Sequence, residues 1–62
     1  SGKGLNCELI EGDTIELENV KCDLVRGHNI KIGENCRIKM VEYTGSIEID
    51  KKSKVEEFVS IK

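Results

Sequence analysis

Proline and tryptophan are absent from the 62 residues, and Tyr43 and Phe58 are the only aromatics. So few large side chains leave no bulk for a conventional aromatic core, and the filling must come from small branched residues. No apolar run exceeds two residues, which excludes a transmembrane helix or a signal-peptide core and points to a cytoplasmic chain. Charge of one sign is also scarce. Ten basic residues against twelve acidic ones give a net charge of -2, with no basic arm, so nucleic acid is not an expected partner. At this length folding usually takes disulfides, a metal, oligomerisation or very regular packing.

Regular packing is what the sequence supplies. Apolar residues recur every second position, as in Ile15 and Leu17, Ile30 and Ile32, and Ile47 and Ile49, each pair flanking a charged residue. That alternation predicts strands with one buried face. A second set of strands is predicted at Cys7-Glu8-Leu9-Ile10, Cys22-Asp23-Leu24-Val25, Ile38-Lys39-Met40-Val41 and Val55-Glu56-Glu57-Phe58, the first three ending in an apolar pair. Turns are expected at Glu11–Asp13, Arg26–Asn29, Gly33–Asn35, Thr44–Ser46 and Asp50–Ser53. No segment has the pattern of an amphipathic helix.

The two strand types repeat. Cys7, Cys22, Ile38 and Val55 are separated by 15, 16 and 17 residues, and Ile10, Val25, Val41 and Phe58 keep the same spacing. Ile15, Ile30 and Ile47, like Leu17, Ile32 and Ile49, are separated by 15 and 17. Insertions therefore fall in the corners, as in a solenoid. The prediction is an all-β fold, a short parallel β-helix of about four coils of 15–17 residues over residues 5–62, with a small antiparallel meander as the alternative. Residues 1–4 read as a cloning remnant or a disordered lead, and the whole as a piece of a longer protein.

Outward positions test the parallel register, because like charges should not face each other across neighbouring strands. Glu16, Lys31 and Glu48 alternate in sign, and so do Glu11, Arg26 and Glu42. Lys21, Arg37 and Lys54 do the opposite and stack as a basic column, with Asp23 and Glu56 nearby. That column suits an anionic surface such as lipid headgroups; a solvated, locally neutralised face is the plainer reading.

Cys7, Cys22, His28 and Cys36 have the stoichiometry of a Cys3His zinc site but no paired-ligand spacing. Cys7 and Cys22 belong to a column that continues as Ile38 and Val55, so the cysteines are expected to pack as small apolar groups. Their closeness makes a disulfide conceivable, against which stand the odd count and the cytoplasmic reading. His28 lies in a turn with no nucleophile beside it. The acidic residues form no isolated pair, no glycine-rich phosphate cradle is present, and Gly12 and Gly27 fit corners by their permissive dihedrals. No catalytic, cofactor-binding or metal site emerges, and the chain reads as non-enzymatic, without a cofactor.

The stretch Leu9-Ile-Glu-Gly-Asp-Thr-Ile-Glu-Leu-Glu-Asn19, with Val25-Arg-Gly-His-Asn-Ile-Lys-Ile-Gly33 and Val41-Glu-Tyr43, resembles the bactofilin-like, polymer-forming cytoskeletal proteins of Gram-positive bacteria, in their C-terminal portion. The likeness runs from about Leu5 over nearly the whole chain. It implies a right-handed parallel β-helix that polymerises through its ends without nucleotide, and a homo-oligomeric scaffold reaching a membrane only peripherally, through the parent protein. The family's solenoid is longer than four coils. Independently of the resemblance, the ends of any solenoid expose apolar columns and unpaired backbone. Val55, Phe58, Val59 and Ile61 are therefore expected in an interface between chains. The competing functions are a small β-sheet module that binds another protein and a metal-stabilised mini-domain.

Overall fold

In the computed structural model, which describes residues 4–61, five strands follow one another: β1 (Leu5–Glu11), β2 (Thr14–Leu17), β3 (Val20–Ile32), β4 (Arg37–Ile49) and β5 (Lys54–Ser60). Every pairing is parallel. The order is β1-β3-β4-β5, and β2 lies beside the second half of β3. Parallel neighbours that are consecutive in the chain require the backbone to travel a full circuit before returning to the same place, which is the path of a solenoid. The fold is thus all-β, a parallel β-solenoid of about four turns. An antiparallel meander is incompatible with this pairing.

The register reproduces the repeat residue by residue. Cys7 pairs with Cys22, Cys22 with Ile38 and Ile38 with Val55. Ile10, Val25, Val41 and Phe58 form the next column, and on the second face Ile15, Ile30 and Ile47 stack, as do Leu17, Ile32 and Ile49. At about 4.8 Å between strands, branched side chains in a column stay in van der Waals contact along the whole axis. Val25 and Val41, at the middle of their column, are 0% exposed. Both faces close on a single core of Ile15, Val20, Cys22, Val25, Ile30, Ile32, Cys36, Ile38 and Val41.

Two of the predicted turns are not breaks. β3 runs through Arg26–Asn29 and β4 through Thr44–Ser46, so each strand bends from one face to the other while its ladder continues. The extra residue of the third coil is absorbed there. Gly27 pairs with Tyr43 but Asn29 with Ser46, a register shift of one. The chain turns at Asn35, within the expected Gly33–Asn35 turn, and at Asn19, where none was expected; φ values of 61° and 57° put both in the left-handed region. Asparagine tolerates that region better than most side chains.

Gly27 owes its place to space rather than to dihedral freedom, and Gly12 does not. A Cβ on Gly27 would lie 2.7 Å from the Gly12 carbonyl oxygen and 2.9 Å from Ile15 Cδ1, whereas one on Gly12 would meet nothing closer than 3.5 Å. The apolar pairs also resolve. In Leu9-Ile10, Leu24-Val25 and Met40-Val41 the second residue points into the core; Leu9 is exposed, and Leu24 and Met40 are half-buried. Of the residues read as a cloning remnant, 1–3 lie outside the described residues, as does residue 62.

Candidate functional site

Among the described residues, the ends of the solenoid are where its internal pairing stops. β1 and β2 each pair only with β3, and β5 only with β4. Among the described residues, the outer edge of each has backbone N–H and C=O groups that no strand meets. Side-chain exposure follows the same logic. Phe58 belongs to the column whose middle members are fully buried, yet it is 55% exposed. Its environment differs from that of Val41 by the lack of a strand stacked beyond it. Val55 ends the cysteine column in the same way and is half-buried. Ile47 and Ile49, with no strand paired beyond the second half of β4, are half-buried and exposed respectively. At the opposite end Leu5 and Leu9 are exposed.

The structure separates the four residues expected at an interface. Phe58 and Val55 terminate core columns. Val59 pairs with Glu42 and so extends an outward column; it is an apolar residue on the surface, 42% exposed. Ile61 donates its backbone N–H to the Tyr43 carbonyl at 2.8 Å and lies half-buried at the corner beside His28 and Thr44. These four sit on one end of the molecule but offer two different surfaces.

The outward columns carry the charge. Arg26 donates from Nε to Glu42 Oε1 at 2.8 Å and from Nη1 to Glu11 Oε2 at 3.2 Å, tying three successive coils together. Both carboxylates hold the guanidinium in its charged form and raise its pKa further, Glu42 more than Glu11. Glu16, Lys31 and Glu48 are in register as expected. Lys39 reaches Asp23 at 3.6 Å and Lys52 reaches Glu34 at 3.8 Å. Lys21, Arg37 and Lys54 are stacked in register on consecutive strands, along a groove that Asp23, Lys39 and Glu56 also line.

The cysteines do not converge with His28. Cys22 and Cys36 are buried and Cys7 is half-buried. Cys22 Sγ lies 3.3 Å from the Leu24 carbonyl oxygen. A hydrogen bond with Cys22, joined by burial and the nearby Asp23, pushes the Cys7 thiol pKa up. His28 sits on an exposed corner with Nδ1 2.8 Å from Thr44 Oγ1. Among the described residues no three His, Cys, Asp or Glu side chains gather as a metal site.

Three features escaped the sequence reading. Cys36 falls 16 residues after Val20 and 17 before Ser53, and both Val20 and Cys36 are buried, so Leu5, Val20, Cys36 and Ser53 make a further inward column. Ser53 closes it with polar contacts: its Oγ accepts the Cys36 backbone N–H at 2.8 Å and donates to the Gly33 carbonyl. Asn19 was the second omission, since Asn35 falls in the expected turn at Gly33–Asn35. The spacing of 16 between Asn19 and Asn35 was the signal for it. Third, the outward ridge of Leu9, Leu24 and Met40, in register by pairing, was hidden inside the apolar pairs.

Comparison with known proteins gives two relatives from Bacillus subtilis strain 168. The chain is 50% identical over 52 residues to the uncharacterized protein YhbE, matching 84% of the chain and 22% of that protein. It is 40% identical over 53 residues to the uncharacterized protein YhbF, matching 86% of the chain and 23% of that protein. The chain therefore spans less than a quarter of the length of these relatives. No family model and no solved structure matches it.

Proposed function

We propose that the chain is a structural module that associates with copies of itself through the ends of its solenoid, without nucleotide and without catalysis, as the bactofilin-like polymer-forming proteins it resembles do. One observation carries this reading: Phe58 is more than half exposed although it ends the column in which Val25 and Val41 are completely buried. An added strand carrying an apolar residue at that position would bury Phe58 and Val55 and satisfy the free edge of β5 in one step. Leu5, which starts the inward column of Val20 and Cys36, is exposed at the other end, so each end of the described coils presents an apolar residue. The proposed setting is the cytoplasm, with any membrane association peripheral and made through the longer protein. No helix of the described residues is long and apolar enough to cross a membrane.

Rigid columns suit a scaffold. The register is set by apolar residues on two faces and by the Glu11–Arg26–Glu42 bridge across three coils, so load along the axis is shared among many contacts. The test is the molar mass in solution of the chain and of a Phe58→Lys, Ile61→Lys variant. Oligomers in the parent chain and monomers in the variant support the proposal; oligomers unchanged by the substitutions contradict it.

A further inference from the structure

We infer that the column Lys21, Arg37 and Lys54 is a binding site for a phosphate-bearing anion lying along the solenoid axis. The inference is independent of the self-association proposed above. It starts from an electrostatic conflict. Outward residues directly opposite on neighbouring strands are stabilised by opposite charges and destabilised by like ones, and two charged columns obey this: Glu11, Arg26 and Glu42 alternate, as do Glu16, Lys31 and Glu48. In this one column Lys21 pairs with Arg37 and Arg37 with Lys54, three cations in a row.

The neighbouring carboxylates do not resolve the conflict. Asp23, one strand position pair away, is engaged by Lys39 at 3.6 Å. Among the described residues, none of the ion pairs involves Lys21, Arg37 or Lys54. Asp23 and Glu56 line the groove beside Lys21 and Lys54, whereas Arg37 has Lys39 at the corresponding place, which centres the positive potential on Arg37. Three stacked cations that form no ion pair among the described residues are the pattern of a site awaiting an anion.

Geometry selects the ligand class. Adjacent cations at about 4.8 Å spacing are close enough for one tetrahedral phosphoryl group to accept from two of them. The row of three spans about 10 Å at that spacing, the reach of a short condensed phosphate or of neighbouring phosphoryl headgroups. Arginine occupies the central place, where its planar fork can donate to two oxygens of one group while the lysines act as point charges on either side. Asn6 pairs with Lys21, so the row continues into the first coil with a neutral amide donor.

The experiment is a calorimetric titration of the chain with orthophosphate, tripolyphosphate, phosphatidylglycerol vesicles and a single-stranded RNA oligonucleotide, with backbone amide shifts followed by NMR. Tripolyphosphate is expected to bind at least about tenfold more tightly than orthophosphate, to move the amides of Lys21, Arg37 and Lys54, and to weaken steeply with salt. Arg37→Gln is expected to reduce that affinity by at least about tenfold, while Glu48→Gln on the other face leaves it unchanged. A melting temperature for Arg37→Gln at or above that of the parent chain shows that folding is intact, since the substitution relieves like-charge repulsion. If vesicles also bind and Arg37→Gln abolishes it, the phosphate is that of a headgroup; if only tripolyphosphate binds, it is soluble. Absence of tripolyphosphate binding, tripolyphosphate affinity unchanged by Arg37→Gln, or binding of RNA alone would each overturn the inference.

Discussion

Asn19 and Asn35 hold the same left-handed backbone conformation, at φ 57° and 61°, in corners one coil apart. A β-branched residue in that conformation brings its side chain against the backbone. Asn35→Val is therefore expected to lower stability by roughly 1–2 kcal/mol, and Asn35→Gly by less. Urea denaturation midpoints of the two variants check the order. Equal losses would mean that the side-chain amide, rather than the dihedral, is what the corner needs.

Gly27 and Gly12 are expected to respond differently to the same change. Gly27→Ala forces a methyl group to within 3 Å of the Gly12 carbonyl and Ile15, so a loss of about 1–3 kcal/mol is expected. Gly12→Ala places its Cβ at ordinary contact distance from Ile15 and is expected to be tolerated. Thermal melts of both proteins distinguish them.

Ser53 closes the corner column, and Ser53→Ala removes the acceptor for the Cys36 N–H and the donor to the Gly33 carbonyl. Leaving such groups without partners costs about 1–3 kcal/mol. Hydrogen exchange should show the Cys36 amide losing its protection in the variant. Retained protection would mean that water or another group replaces the hydroxyl.

The Cys7 thiol has a raised pKa, so the folded state holds its proton more tightly than the unfolded state does. This stability is fully present below the ordinary thiol pKa of about 8.5 and is lost as pH rises through the folded value. Stability is expected to fall in that alkaline window, and Cys7→Val is expected to flatten the dependence. Denaturation curves at a series of alkaline pH values measure both. Alkylation of Cys7 at pH 8 should be slower than that of a small free thiol.

Much of the fold was legible because a solenoid repeats its own evidence. The columns through Cys7 and Ile10, and those through Ile15 and Leu17, are visible as spacings of 15–17, and the structure stacks each of them. Less legible was whatever depends on the path between strands. Whether Arg26–Asn29 turns or bends depends on how Gly27 meets Gly12, a contact between coils. Which member of Leu24-Val25 faces inward depends on the local departure from strict alternation, to which two adjacent apolar residues are blind. Of the candidate interface residues, Val55 and Phe58 fall at the ends of their predicted columns, but Val59 follows Glu42 on the outside, a placement set by that same departure.

The most direct measurement is sedimentation velocity of the chain over a range of concentrations, beside the Phe58→Lys, Ile61→Lys variant, with circular dichroism confirming that both are folded. Association through the solenoid ends predicts species that grow with concentration for the parent chain and a single 7.0 kDa species for the variant. A parent chain that stays monomeric throughout, or a folded variant that assembles as the parent does, would contradict it.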